Sequence, residues 1–275
     1  MFAFIANIFG YLLNFLYNIF NNYGVSIIVF SVLIKLILLP LTIKQQKTMD
    51  KSTKIQGELK SIQFKYKNDP EKLNKEMMDL YKRENMSPFS GCLSSIVQLI
   101  LILAVFYMVR SPLTYMRKVD TNIINDYTNR LEQKTGYPEV QIIKEFGNED
   151  EKVNLNMNFL GLDLSNVPNQ NYKDYKSFII PFLYVVSSII SMKLTLNMQK
   201  NMTPTKNSEN GEEAEPEDMM QSTNKTMSYM MPIMAFSISL VAPLGLALYW
   251  LISNVLMILE RVFLNILKRK EEEKA

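Results

Sequence analysis

Charged residues are segregated along this 275-residue chain in a way that leaves few choices of fold. No charged side chain precedes Lys35, whereas residues 44–87 carry eleven Lys/Arg and seven Asp/Glu. Apolar runs of about 20 residues are long enough to cross the ~30 Å hydrocarbon core of a bilayer as helices. Long uncharged runs that alternate with charged blocks therefore predict an all-α polytopic membrane protein.

Five apolar stretches are predicted to be transmembrane helices, which we number TM1 to TM5. They cover residues 23–43, 88–110, 177–197, 228–243 and 244–267. The last two are separated by Ala242-Pro243-Leu244-Gly245, because Pro and Gly break a helix and turn the chain. The remaining segments are predicted to be a cytoplasmic helical hairpin (44–87), an extracytoplasmic region (111–176), a disordered cytoplasmic loop (198–227) and a cytoplasmic tail (268–275).

The N-terminal segment, residues 1–22, is apolar but carries a polar stripe. The members of the stripe recur at spacings of 4, 3, 4 and 3, which places them on one helical face: Asn7, Tyr11, Asn14, Asn18 and Asn21. Phe and Leu fill the other face. This pattern predicts an amphipathic helix in the membrane interface rather than a sixth span. The segment also lacks the basic start and small-residue cleavage site of a signal peptide.

The distribution of Lys and Arg next to the spans predicts the orientation of the chain. Basic residues follow TM1 at Lys44, Lys47, Lys51 and Lys54, and they follow TM5 at Lys268, Arg269 and Lys270. The segment 111–175 holds seven basic and ten acidic residues. We therefore expect the hairpin and the C-terminus to be cytoplasmic and the N-terminus to be outside.

The segment 44–87 has the pattern of two short amphipathic helices. One apolar stripe consists of Ile55, Leu59, Ile62 and Tyr66, and the other consists of Leu73, Met77 and Leu80. Between them, Asp69 is predicted to cap the second helix and Pro70 to be its first residue. Two short stripes bury little surface, so we expect this hairpin to be mobile.

Lys35 lies in the middle of TM1 with apolar residues on both sides. A cation at this depth costs roughly 2.5–3.5 kcal/mol on insertion scales. TM1 continues for eight residues beyond Lys35. That length, ~12 Å, is too great for the side chain to reach the cytoplasmic headgroups. Glu260 and Arg261 are placed near the end of TM5, so no carboxylate is expected to neutralise Lys35.

Uncharged polar residues cluster on three other spans. They are Ser94, Ser95 and Gln98 on TM2, then Ser187, Ser188, Ser191 and Thr195 on TM3, and Ser253 and Asn254 after Trp250 on TM5. Such residues often form hydrogen bonds between helices. Together with an unpaired lysine, they favour a hydrated cavity that attracts acidic segments.

Composition excludes several kinds of active site. The chain has no histidine and a single cysteine, Cys92, which excludes an internal disulfide, His or Cys metal clusters and His-dependent catalysis. No phosphate-binding loop is present. The spans offer no aspartate for an ion-coupled transporter or an aspartyl protease, and no serine stands out for a Ser–Lys dyad. Eighteen methionines suit an adaptable apolar surface better than a copper pathway.

Four blocks of sequence carry a family resemblance. They are IKLILLPL at 34–41, NMSPFSGCL at 85–93, FLGLDLS at 159–165 and PLGLALYWLISN at 243–254. In this order they resemble the YidC-type membrane protein insertases, specifically the five-span form of Gram-positive bacteria. The likeness covers residues 1–110 and 155–267. It implies an insertase and chaperone of the bacterial plasma membrane that is not an enzyme and needs no cofactor or metal.

The resemblance also implies a groove that is open to cytoplasm and lipid but closed outside. Lys35 stands where the family usually has arginine, so the charge is kept and the planar head group is lost. The candidate groove residues are Lys35, Ser94, Gln98, Ser187, Ser188, Ser191, Trp250 and Asn254. An apolar slide for the incoming segment is implied on TM2 and TM4, at Ile96, Ile100, Phe106, Ile233 and Phe236.

The implied partners are nascent membrane proteins and lipids, with the ribosome, the signal recognition particle machinery and the Sec translocon as further candidates and no direct nucleic-acid contact. The chain departs from the family at Ser94, where proline is common, and it lacks an N-terminal lipobox cysteine. Residues 116–152 carry no part of the recognised resemblance, and the short tail of mixed charge does not favour direct ribosome anchoring. A solute or ion channel and a scaffold for membrane protein assembly are the alternative functions.

Overall fold

The computed structural model describes residues 2–87, 90–132, 136–170, 173–200, 230, 232–234 and 236–272. Helices dominate this part of the chain: α1 Phe2–Phe20, α2 Tyr23–Lys65, α3 Pro70–Arg83, α4 Ser90–Arg110, α5 Thr121–Arg130, α6 Pro138–Phe146, α7 Ile179–Lys200, α8 Pro232–Val241 and α9 Leu244–Glu272. Shorter turns are a π-helix, Leu113–Arg117, and 3-10 helices at Pro168–Gln170 and Tyr175–Phe178. Strands β1 Asn158–Phe159 and β2 Leu162–Asp163 form an antiparallel hairpin, with Phe159 opposite Leu162.

Four helical stretches of the described chain are long and apolar enough to cross a membrane: Phe2–Phe20, Tyr23–Thr48, Tyr175–Leu194 and Leu244–Ile266. Shorter apolar stretches occur at Leu99–Arg110 and Pro232–Val241. The predicted all-α polytopic membrane protein is therefore confirmed. Because α1 also meets the length and hydropathy of a span, its interfacial position stays a prediction. The predicted disordered loop lies outside the described residues from residue 201 onward, and α7 occupies its first three positions.

The described residues form two compact units. The larger one contains residues 2–36, Leu101–Leu194 and the described part of 230–272, and the smaller one contains Ile37–Ile100 and 195–200. Helix α2 contributes to both because it continues for 43 residues, through the predicted end of TM1 at residue 43. Pro40 lies inside it, and such prolines are tolerated in spans when neighbouring groups satisfy the freed backbone. The predicted boundary between TM1 and the hairpin is therefore not a helix end.

In the smaller unit, α3 begins as the sequence predicts. Asp69 Oδ1 accepts a hydrogen bond from the backbone N–H of Lys72 at 3.1 Å, and Pro70 is the first helical residue. At the other end of α3, Arg83 Nη2 lies 2.5 Å from Glu58 Oε1 on α2. Ile55 and Leu80 are the buried members of the two predicted stripes, and the other members are half-buried. The apolar contact between the two helices is therefore thin, as predicted.

Helix α1 has three kinds of surface rather than the predicted two. Its buried face consists of Ala6, Phe9, Gly10, Leu13, Leu16 and Tyr17. A second face is apolar and exposed, and it consists of Phe4, Ile8, Tyr11, Phe15 and Ile19. Between the two, Asn7 accepts a hydrogen bond from Lys118 Nζ, which also lies 4.3 Å from the centre of the Tyr11 ring. The polar stripe is therefore a narrow border between two apolar surfaces.

The contact between α1 and the π-helix is very close at Gly10. A Cβ atom added at this position would lie 1.9 Å from the backbone oxygen of Tyr115. Any side chain would collide with the backbone of the π-helix, whose position cannot adjust as a flexible side chain can. Glycine therefore sets the distance between these two elements.

The loop region, which we define as residues 111–176, binds the first turns of two spanning helices. The N–H of Gly245 in α9 donates to the carbonyl oxygen of Leu164 at 2.9 Å, and the N–H of Tyr23 in α2 donates to that of Asn156 at 3.0 Å. The first N–H groups of a helix have no partner within it. These bonds to the loop region therefore fix where α2 and α9 begin.

A buried carboxylate holds the loop region together. Glu139 of α6 is 6% exposed, and its side chain accepts hydrogen bonds from the backbone N–H and the hydroxyl of Thr114 at 2.9 and 2.6 Å. Burial raises the pKa of Glu139, and the hydrogen bonds from Thr114 oppose that rise in part. The sequence of this region predicts no particular fold.

Candidate functional site

Lys35 has an acidic partner on another spanning helix. Its Nζ atom lies 2.5 Å from Oε2 of Glu260 on α9, and both residues belong to the larger unit. The side chain of Lys35 is 28% exposed and that of Glu260 is 7% exposed. The expectation that no carboxylate neutralises Lys35 is therefore wrong.

The position of Glu260 relative to Lys35 follows from where the two helices begin. Both α2 and α9 begin at the loop region, so depth is measured from Tyr23 and Leu244. Lys35 then lies ~18 Å along its helix and Glu260 ~24 Å along its own. The difference of ~6 Å between these two depths is within the combined reach of two long side chains. The helix-breaking turn at 242–245 was the sequence signal that could have placed Glu260.

The carboxylate of Glu260 is only partly satisfied. Its Oε1 atom is buried and accepts no hydrogen bond from any described residue. The neighbouring Arg261 also contacts α7, where Nη1 lies 3.3 Å from the backbone oxygen and 3.4 Å from Oγ of Ser191. A buried ion pair repays its desolvation cost only when the other oxygens and protons also find partners. This pair meets that condition incompletely.

The polar residues predicted on TM3 and TM5 meet each other. Asn254 Nδ2 donates to Ser187 Oγ at 3.0 Å and to Ser188 Oγ at 3.1 Å. Ser187, Ser191 and Asn254 are all buried. These are hydrogen bonds between helices, which was the alternative interpretation of the serine stripe. A cavity lined by these residues stays a prediction.

Helix α9 thus contacts two neighbours through different faces. Trp250, Asn254 and Arg261 lie toward α7, where the Trp250 ring is 6.0 Å from that of Tyr184. Glu260 lies toward α2. Lys35 on α2 and the serine stripe on α7 therefore both contact α9, but on separate faces of it.

The remaining predicted site residues are distributed over both units. The side chains of Ser94 and Gln98 lie outside the described part of the structure. Ile96 is exposed and Ile100 half-buried in the smaller unit. In the larger unit, Phe106 packs against the core, whereas Ile233 and Phe236 are exposed. Exposed apolar side chains on α4 and α8 are compatible with the predicted slide, which stays a prediction.

Comparison with known proteins decides the family. Residues 15–272 match the family model described as 60Kd inner membrane protein. The chain belongs to the 60Kd inner membrane protein family. The predicted family resemblance is confirmed, and the matched range of this family member includes Lys35, Glu260 and the whole loop region.

Curated relatives of this 60Kd inner membrane protein family member carry the name membrane protein insertase YidC. The relative from Clostridium perfringens is 30% identical over 254 residues, which cover 92% of the chain and 82% of the relative. That from Fusobacterium nucleatum is 29% identical over 255 residues, covering 93% of the chain and 92% of the relative. The relatives from Treponema denticola and Chloroherpeton thalassium are longer, and the chain spans only 35% and 37% of their lengths.

Proposed function

We propose that this chain is a membrane protein insertase, which helps segments of nascent membrane proteins to pass from water into lipid and to fold there. The observation that carries the proposal is a charged residue, Lys35, that lies within a spanning helix and keeps 28% of its side chain exposed. A basic group held at this depth in a lipid-only environment would be costly. The names of the relatives support the same activity.

The proposed site is a hydrophilic groove that contains Lys35 and opens to the cytoplasm and to lipid. In this arrangement the protein is a bacterial plasma-membrane protein with its N-terminus outside and its C-terminus in the cytoplasm. Its substrates are nascent membrane proteins, and its surroundings are membrane lipids. The ribosome, the signal recognition particle machinery and the Sec translocon are proposed as partners that deliver or share substrates.

The proposed mechanism needs no covalent step and no nucleotide. A polar tail of the substrate enters the groove, where a charge acts more strongly than in water because the surroundings are less polarisable. The adjoining apolar segment moves into lipid along α4 and α8, at Ile96, Ile100, Phe106, Ile233 and Phe236. Burial of about 20 apolar residues drives this step. The groove shortens the polar crossing and so lowers the barrier, while the final state is unchanged.

Purified protein in liposomes tests the proposal. It should accelerate the insertion of a short single-span substrate with an acidic N-terminal tail, as measured by protection of the translocated tail from added protease. Lys35→Arg should keep the rate for this substrate. Lys35→Glu should reduce it by about tenfold or more, because it replaces the cation with a second carboxylate beside Glu260, and the two would repel the acidic tail.

Two results would contradict this role of Lys35. The first is a Lys35→Ala variant that inserts every tested substrate at the normal rate. The second is leakage of an entrapped dye or ion from the same vesicles during insertion, which would indicate a pore rather than a one-sided groove. Vesicles without protein and vesicles with heat-inactivated protein serve as controls.

A further inference from the structure

The two members of the Lys35–Glu260 pair are unequally accessible. Lys35 has four times the exposed fraction of Glu260, 28% against 7%, although their charged atoms are only 2.5 Å apart. A group that approaches the pair from outside therefore meets the ammonium first. Glu260 is held behind it on α9.

The pair also leaves hydrogen-bonding capacity unused. A lysine ammonium has three donors. Among the described residues, Glu260 is the one group that accepts a hydrogen bond from Lys35. Glu260 uses one oxygen for this bond, and its buried Oε1 receives no donor from the described chain. The ammonium can therefore bind a second carboxylate, but only against the repulsion of the first.

We propose that Glu260 is a specificity-determining residue that competes with the acidic groups of substrates for Lys35. This inference rests on the proposed insertase function and names the substrate feature that the site discriminates. With Glu260 charged, the pair has no net charge, and an acidic tail must displace or share the internal carboxylate. A neutral polar tail faces no such competition, so Glu260 lowers the preference for acidic tails.

A purely structural pair predicts a different pattern. If Glu260 only held α9 against α2, its loss would weaken the packing of both helices. Insertion of all substrates would then fall together, whatever the charge of their tails. The ratio of rates for two tails on one preparation separates these possibilities, because any loss of folded protein cancels in that ratio.

The experiment uses the full-length protein in liposomes and two single-span substrates that differ only in the tail. One tail contains three aspartates, and the other has asparagine at the same positions. The variants are Glu260→Gln, Lys35→Gln and the double substitution. Glu145→Gln is the control, since it removes an exposed carboxylate of the loop region that accepts a hydrogen bond from Gln141.

Glu260→Gln should raise the ratio of acidic-tail to neutral-tail insertion by about fivefold or more, the usual lower range for coupled binding groups. Lys35→Gln should lower the ratio because it leaves the Glu260 carboxylate without its cation. The double variant should give a higher ratio than Lys35→Gln, because it also removes that repelling carboxylate, and Glu145→Gln should leave the ratio unchanged. The competition is refuted if Glu260→Gln leaves the ratio at the wild-type value or lowers it. If wild-type protein accelerates neither substrate over protein-free vesicles, the proposed insertase function itself fails, and with it this inference.

Discussion

At the residue scale, Glu139 and Glu260 are two carboxylates buried in different ways. Glu139 receives two hydrogen bonds from Thr114, so its site is built to hold an acceptor. Glu260 is bound by the charge of Lys35 and has one oxygen without a described donor. The first arrangement stabilises a fold, because it satisfies the buried group locally. In the second arrangement, another carboxylate can compete with Glu260 for the ammonium of Lys35.

The raised pKa of Glu139 predicts a pH-dependent stability. Burial raises this pKa above its ordinary value near 4.5, so the folded protein binds the proton more tightly than the unfolded chain does. The resulting stabilisation is complete below the unfolded pKa and is lost as the pH rises through the higher folded pKa. We expect the unfolding temperature in detergent to fall over this range, and Glu139→Gln to remove that part of the slope. Parallel pH curves for the two proteins would contradict the assignment.

At the element scale, the molecule depends on close contacts between helices and the segments that cap them. Helix α1 packs on the π-helix through Gly10. The aromatic ring of Phe159, in strand β1, lies over Gly24 at the start of α2. Each contact requires a residue without a side chain on one partner. A glycine in a helix is normally unfavourable, since it loses more backbone freedom on folding than other residues do. Its presence at these positions is explained by the distance between the elements.

Two glycine substitutions should therefore have opposite effects. Gly10→Ala places a Cβ against the Tyr115 backbone and should destabilise the protein by about 2 kcal/mol or more. Gly57→Ala is the matched control, because Gly57 is also inside a helix but has no atom within 4 Å of the added Cβ. It should stabilise the protein by about 0.5–1 kcal/mol. Denaturant unfolding in detergent measures both, and equal shifts of the same sign would contradict the contact.

At the scale of the whole molecule, the loop region and the hairpin are expected on opposite sides of the membrane. The expectation comes from the charge distribution: basic residues follow TM1 and TM5, whereas residues 111–175 hold seven basic and ten acidic residues. By the positive-inside rule, this predicts a cytoplasmic hairpin and an extracytoplasmic loop region.

Cysteine labelling tests this topology. In a Cys92→Ser background, which lacks cysteine, Leu160→Cys in the loop region and Phe64→Cys in the hairpin provide two highly exposed positions. A membrane-impermeant maleimide added to intact cells should label position 160 and spare position 64. After permeabilisation both should react. Labelling of position 64 alone in intact cells would reverse the predicted orientation.

The sequence predicts those features of the fold that local pattern determines. Segregation of charge predicts an all-α membrane protein, and Asp69 and Pro70 predict the start of α3, because both signals lie in local sequence pattern. The Lys35–Glu260 pair joins positions 225 residues apart, and its prediction requires the alignment of two helices. The loop region has no long periodic segment. Its short helices are positioned by buried groups such as Glu139, so its fold was not predictable from pattern alone.

The shared attachment of α2 and α9 to the loop region restricts how the ion pair can come apart. Because both helices are tethered at their first turns, neither can slide lengthwise past the other without breaking those backbone bonds. A rotation of the two helices about their first turns would leave those bonds intact. At a radius of ~20 Å from the pivot, opening the charged atoms by ~3 Å needs a rotation of only ~8°. A rotation of this size is what the proposed competition would require if the ion pair has to open.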